Sequence, residues 1–114
     1  MHSVILTHGF ERDARGAGLS EEELQEIVAV IAEDPLAGDL IAGAGGARKV
    51  RHRGRSGGKS GGYRTIHYFG GGDIPVFMLS LYTKSAKANL TKAERNALAE
   101  ILPRIGEAYR RGTQ

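Results

Sequence analysis

The sequence predicts an α+β fold, in which a small antiparallel β-sheet packs against an N-terminal and a C-terminal helix. Two helical segments, each opened by a capping pattern, enclose a glycine-rich region with three strand-like segments. The chain has 114 residues, of which 40% are hydrophobic. Because this suffices for one hydrophobic core but not for two ordinary domains, we predict a single domain over residues 1–110 and a frayed tail at 111–114.

Both predicted helices begin with the same signal. Glu23 follows Ser20 by three residues, and Glu94 follows Thr91 likewise, which is the spacing of a capping box. Apolar residues then recur at the spacing of one helix face, at Leu24, Ile27, Val28 and Ile31 and at Leu98, Ile101, Leu102, Ile105 and Tyr109. Pro103 predicts a bend or break in the second helix.

Three segments of the middle region have the composition of strands. Eleven of the seventeen glycines lie between Gly43 and Gly72 and separate these segments. The predicted strands cover residues 48–53, 63–69 and 76–83, and the last two are joined by a hairpin at 70–73.

The remaining segments give weaker patterns. Residues 4–6 predict a short first strand, and the charged, glycine-containing stretch 9–18 predicts a loop. Residues 36–41 are compatible with a last helical turn or with a loop packed on the core.

Charge is distributed unevenly along the chain. The net charge is only +3, yet no acidic residue occurs between Asp39 and Asp73. This window contains seven basic residues: Arg48, Lys49, Arg51, Arg53, Arg55, Lys59 and Arg64. A solvated face normally mixes both signs, so a one-signed stretch favours a polyanionic partner.

Strand alternation brings three polar side chains together. It divides the last strand into Phe77, Leu79 and Leu81 toward the helices and Met78, Ser80, Tyr82 and Lys84 on the open side. Antiparallel pairing through the hairpin then places Arg64 near Tyr82 and Lys84. Ile66 and Tyr68 share the face of Arg64, so a bulge or partial covering by the C-terminal helix is also expected.

Other features narrow the class of protein. There is no cysteine, and we see no secretory signal or membrane span, so we expect a cytoplasmic protein. Within its strand, His67 is expected to be a packed core residue, and His52 is better placed to contact a polyanionic partner. His2 and His8 do not predict a metal site.

Three segments carry a resemblance to a known family. They read Gly-Ala-Gly-Gly-Ala-Arg-Lys-Val-Arg at 43–51, Gly-Lys-Ser-Gly-Gly-Tyr-Arg at 58–64 and Leu-Tyr-Thr-Lys at 81–84. This pattern resembles the RelE/ParE superfamily of toxins, and more narrowly its HigB-like branch. The resemblance implies a RelE-like fold and a type II toxin that acts as a ribosome-dependent mRNA endonuclease without metal or cofactor. It also implies mRNA and ribosome as partners, an antitoxin of helix-turn-helix type, and operator DNA contact only through that antitoxin.

The resemblance also implies most of the site residues, because Lys49, Arg51, Arg64, Tyr82 and Lys84 match the family's basic site. The catalytic candidates are Arg64, Tyr82 and Lys84. The RNA-binding candidates are Lys49 and Arg51, together with the further basic residues Arg48, Lys59 and Lys87. Attack of a ribose 2′-hydroxyl on the adjacent phosphate requires removal of a proton and neutralisation of the developing charge. Arg64 suits the charge, because a guanidinium can hold two phosphate oxygens. Lys84 is the first candidate for the base, and Tyr82 could donate a proton, bind a phosphate oxygen or stack on a base.

Other functions remain open at the level of sequence. A ParE-like inhibitor of DNA gyrase, a noncatalytic RNA-binding module and a protein-interaction domain would share much of this pattern. The clustering of Arg64, Tyr82 and Lys84 favours the nuclease.

Overall fold

Five strands and three helices make up residues 2–53, 62–83 and 89–112, the part of the chain that the computed structural model describes. The elements are β1 (Val4–Leu6), α1 (His8–Gly16), α2 (Glu21–Glu33), β2 (Asp39–Leu40), β3 (Ala47–His52), β4 (Tyr63–Tyr68), β5 (Val76–Thr83) and α3 (Lys92–Gly112). The strands form one sheet in the order β1-β5-β4-β3-β2. No helix in these ranges is long and apolar enough to cross a membrane.

The sheet is mixed. Strands β2 to β5 pair antiparallel with their neighbours, which confirms the predicted core of the sheet and the β4–β5 hairpin. Strand β1 instead lies parallel to β5, with Val4 opposite Val76 and Leu6 opposite Met78. The α+β fold is confirmed, and the parallel edge strand is the part that local pattern did not predict.

Helix α1 replaces the loop predicted for residues 9–18. The Thr7 hydroxyl caps it by accepting from the Phe10 amide at 3.2 Å. Phe10 and Ala14, one turn apart, are both buried. The Asp13 carboxylate accepts a hydrogen bond from the Leu81 amide of β5 at 3.1 Å. Tertiary contacts therefore make a helix from a stretch whose composition alone favours a loop.

The undecided segment 36–41 contains the edge strand β2. Asp39 lies opposite Lys49 and Leu40 opposite Arg48. Gly38 precedes it with φ 80°, and a Cβ there would lie 2.1 Å from the Lys49 carbonyl oxygen. Only glycine permits this approach of the chain to β3.

The two faces of the sheet are covered by different helices. Helices α1 and α2 close one core, whose buried members include Phe10, Ile31 and Met78. Helix α3 closes the other, in which Leu102 packs with Ile66. We refer to these as the α1/α2 face and the α3 face.

A β-bulge corrects the predicted alternation of β5. Ile66 lies opposite Ser80, but the next residue of β4, His67, lies opposite Met78, so Leu79 has no cross-strand partner. Met78 and Leu81 consequently share the α1/α2 core, whereas alternation had put them on opposite faces. Leu79 packs on the α3 core.

Both predicted capping boxes are present. The Ser20 hydroxyl accepts from the Glu23 amide and the Glu23 carboxylate from the Ser20 amide, each at 3.1 Å. Thr91 and Glu94 make the same reciprocal pair at the start of α3. Helix α3 then runs through Pro103 without the predicted break, because its apolar face packs on the sheet on both sides of the proline. The helix also includes Arg111 and Gly112.

Candidate functional site

Three side chains from adjacent strands lie in a row on the α3 face. In the register of the sheet, Arg51 of β3 is opposite Arg64 of β4, and Arg64 is opposite Tyr82 of β5. Directly opposed residues project to the same face, with Cβ atoms about 4.5–5.5 Å apart. We call these three residues the cross-strand row. The predicted meeting of Arg64 with Tyr82 is therefore present in the fold.

Helix α3 covers only part of this face. Ile66 is fully buried beneath it, and Tyr68 packs on the same cluster. Arg64 lies two residues before Ile66 on β4 and is half-buried, and Arg51 beyond it is exposed. Strand alternation predicted a bulge or a partial covering by the C-terminal helix, and the covering of Ile66 and Tyr68 meets this expectation, while the arginine end of the row stays partly exposed.

The Arg64 guanidinium carries unused hydrogen-bonding capacity. Its Nη1 is shielded from solvent and has no hydrogen-bond partner among the described residues. A buried donor without an acceptor costs about 1–3 kcal/mol, and more when it is charged. In this conformation Nη1 is covered, so an anion between Arg51 and Arg64 would recover this cost once the group is uncovered, because guanidinium N–H groups make short, strong hydrogen bonds to phosphate oxygens.

Tyr82 is the most buried member of the row. It is 7% exposed and packs with Ile66, Leu90 and Leu102 under α3, and its phenolic oxygen is shielded from solvent. It therefore forms the apolar wall beside Arg64 in this conformation.

Lys49 extends the basic surface along β3. It lies on the same face as Arg51, two residues earlier, and its Nζ donates to Asn89 Oδ1 at 2.9 Å. This contact ties β3 to the segment that leads into α3 and fixes the position of the ammonium group.

Arg48 points away from this surface. It lies opposite His67 on the α1/α2 face. Its Nη1 donates to the carbonyl oxygens of Leu36 at 2.9 Å and Gly38 at 3.3 Å. The structure thus separates Arg48 from the other RNA-binding candidates and gives it a contact that holds the approach to β2.

The two strand histidines are buried on the α1/α2 face. His67 is fully buried and its Nε2 lies 2.7 Å from the Pro35 carbonyl oxygen, as expected for a packed core residue. His52 is 7% exposed, with Nε2 2.8 Å from Thr65 Oγ1, so it is not placed for RNA contact. Desolvation lowers the pKa of His52 to about 4, and it also lowers the pKa of His67.

Three further candidates cannot be placed. Lys59, Lys84 and Lys87 lie outside the described residues. Their catalytic and binding assignments remain predictions.

A cleft beside the row contains residues that the sequence did not single out. It has a volume of about 410 Å³ and opens between β2, β3 and the start of α3. Its lining includes Asp39, Leu40, Lys49, Asn89, Leu90 and Arg95. We call it the β2 cleft. These residues are far apart in sequence. The sequence could have revealed the cleft only through the pairing of Asp39 with Lys49, and that pairing depends on a two-residue strand that no clear pattern indicates.

The fold and this surface define a small α+β protein with a basic, partly open sheet face that can hold an anion. A family model described as "RelE toxin of RelE / RelB toxin-antitoxin system" matches residues 2–110. The chain belongs to the RelE toxin family, and it is therefore a toxin of a toxin-antitoxin system with an antitoxin as partner.

A solved structure shows the same fold. A mutant of E. coli toxin RelE in the free state is 18% identical, with a TM-score of 0.52, over 86% of this chain and 93% of that chain. At this identity the match establishes the fold. Membership of the HigB-like branch stays a prediction.

Proposed function

We propose that this toxin is a ribosome-dependent mRNA endonuclease that acts without a metal ion. In the proposed step a ribose 2′-hydroxyl loses its proton and attacks the adjacent phosphate, the P–O5′ bond breaks, and the products are a 2′,3′-cyclic phosphate and a protonated 5′-hydroxyl. One observation carries the proposal: the shielded Nη1 of Arg64 lacks a hydrogen-bond partner in the described part of the chain, at the centre of a row that begins with the exposed Arg51. A purely structural arginine would be expected to engage its donors with protein acceptors, as Arg48 does.

The reaction assigns a task to each group. In the transition state the phosphate gains negative charge, which Arg64 neutralises and Arg51 reinforces from the neighbouring strand. Lys49 contacts the RNA further along β3. Lys84 follows β5 directly in sequence and is the proposed base, because neighbouring cations lower the pKa of an ammonium group and free a fraction of neutral amine.

Tyr82 has two separable roles in this proposal. As a wall it positions Arg64, and as a proton donor or stacking partner it would act only once its phenolic oxygen is uncovered. A Tyr82→Phe variant keeps the wall and removes the hydroxyl. Retained cleavage in that variant would restrict Tyr82 to positioning.

The proposal is tested by primer extension on cellular mRNA after brief expression of the toxin. Wild-type protein should produce cuts in phase with codons, and Arg64→Ala should reduce cutting by about 10²–10³-fold, as removal of one stabilising donor does in other enzymes. Arg104→Ala is the matched control, since Arg104 lies on the exposed side of α3 and pairs only with Glu100 among the described residues. Full cutting by a folded Arg64→Ala protein would refute the assignment, and growth arrest without RNA cuts would refute the nuclease.

A further inference from the structure

The β2 cleft combines one carboxylate with cationic and amide donors. Asp39 is directly opposite Lys49 in the β2–β3 pair, so the two side chains start close together on one face. The Lys49 ammonium nevertheless bonds to Asn89 at 2.9 Å, and within the described ranges no salt bridge joins it to Asp39. Among the described residues the exposed Asp39 carboxylate has no hydrogen-bond partner, so it is an available acceptor at the mouth of the cleft.

Arg95 provides a fixed planar group in the same cleft. Its Nη1 donates to the Leu90 carbonyl oxygen at 3.0 Å, and the residue is half-buried. A guanidinium held in this way can stack on a nucleobase. Leu40, 62% exposed, and Leu90 add apolar surface beside it.

The cleft lies immediately beside the cross-strand row. Lys49 lines it, and Arg51 follows two residues later on the same face of β3. Two residues along a strand advance the chain by about 6.6 Å. An RNA strand with a phosphate at Arg51 and Arg64 would therefore bring a neighbouring base to the cleft.

We propose that the β2 cleft binds one nucleobase of the RNA substrate and that Asp39 selects bases with an exocyclic amino group over uracil. This inference rests on the proposed function for the identity of the ligand. A carboxylate only accepts hydrogen bonds, so it pairs with the amino groups of cytosine, adenine and guanine. Uracil instead offers carbonyl oxygens at the sides of its single N–H. Lys49 and Asn89 supply donors for the remaining acceptors of the bound base.

The comparison of cytosine with uracil tests this most cleanly, because the two rings have the same size. The probe is a fluorescein-labelled 2′-O-methyl oligouridine of seven nucleotides, with cytosine or uracil at the central position, which the toxin cannot cleave. Fluorescence anisotropy should show about tenfold tighter binding of the cytosine probe, the size expected for one good base contact. Asp39→Asn should reduce this preference to less than twofold, because the amide can donate to uracil.

The control variant is Glu33→Gln, which removes the same charge at the exposed end of α2, away from the cleft. It should keep the tenfold preference, and any general gain in RNA affinity from the lost negative charge will appear in both variants. Equal affinity of the wild-type protein for the two probes would overturn the inference, as would an unchanged preference in Asp39→Asn.

Two further results separate this inference from its alternatives. A protein that prefers cytosine but cuts no mRNA would contradict the proposed nuclease and support the base site. If Asp39→Asn and Arg95→Ala weaken capture of the antitoxin and leave the cytosine preference unchanged, the cleft is a protein-binding surface and the inference is wrong.

Discussion

The two faces of the sheet differ in how they hold their arginine side chains. On the α1/α2 face, Arg48, His52 and His67 each contact a backbone or side-chain oxygen, and the group left without a partner among the described residues is the Nδ1 of the His67 ring. On the α3 face, Arg64 retains a shielded N–H without a partner in the described part of the chain, and Arg51 is exposed beside it. The same two strands, β3 and β4, supply both sets.

This difference indicates that the two faces of the sheet have different functions. On the α1/α2 face, polar groups whose partners lie within the protein hold the segments that surround the sheet. On the α3 face, Arg64 is half-buried and Arg51 is exposed, and the best partner for these two cationic groups is an external anion. Substitutions of polar residues on the α1/α2 face should therefore affect stability, and substitutions of cationic residues on the α3 face should affect RNA binding.

The largest expected effect on stability is acid destabilisation through the α1/α2 face. Burial lowers the pKa of His52 from 6.5 to about 4, so the folded protein favours the neutral ring. This contribution is complete above pH 6.5 and is lost as the pH falls, amounting to about 3 kcal/mol near pH 4. The pKa of His67 is lowered in the same direction and adds to the loss. Urea denaturation between pH 7 and pH 4 measures it.

Two substitutions make that measurement specific. His52→Gln keeps a hydrogen-bonding group near Thr65 but does not titrate, so it should flatten the pH dependence. His8→Gln, at an exposed histidine of α1, should leave it unchanged. Identical pH profiles for wild type and His52→Gln would contradict the assignment.

A smaller effect should distinguish the two arginines of β3. Arg48→Ala removes the hydrogen bonds to Leu36 and Gly38 and should lower the free energy of unfolding by about 1.5 kcal/mol. Arg51→Ala should change it by less than about 0.5 kcal/mol while weakening RNA binding. Chemical denaturation and anisotropy on the same proteins measure both quantities. If Arg48→Ala weakened RNA binding and Arg51→Ala lowered the stability instead, the proposed difference between the two faces would be wrong.

The smallest expected effects come from the helix caps. Ser20→Ala and Thr91→Ala each remove a capping hydroxyl and should cost about 1 kcal/mol of stability. Only Thr91→Ala should also alter RNA affinity, because α3 begins beside the β2 cleft and Asn89 holds Lys49 there. Equal RNA affinities for the two variants would argue against a role for this cleft.

Local pattern predicted most of the fold. The strands β3 to β5 and the helices α2 and α3 follow from composition, alternation and capping spacing. Helix α1 did not, because its stability comes from Asp13 and Phe10 contacts with distant residues. The bulge at Leu79 was not predicted from the sequence either, because a register shift depends on how the two faces of the sheet pack and not on the sequence of the strand alone.

The sequence predicted only part of the candidate site, because only contacts between locally paired strands can be derived from it. Hairpin pairing is local, so the meeting of Arg64 with Tyr82 could be derived from the sequence. The separation of Arg48 from Lys49 follows from simple alternation, yet the one-signed charge window grouped them together. Asp39 and Arg95 meet only through a two-residue strand and a distant helix, which no local pattern indicates.

The central claim is that Arg64 binds an RNA phosphate on the α3 face. The affinity of the wild-type and Arg64→Ala proteins for the uncleavable 2′-O-methyl oligonucleotide, measured by anisotropy across a salt series, tests it most directly. Loss of one phosphate contact should weaken binding and reduce the slope of log affinity against log salt by about 0.7 for a single strand. An Arg64→Ala protein with the wild-type slope and affinity would contradict the claim.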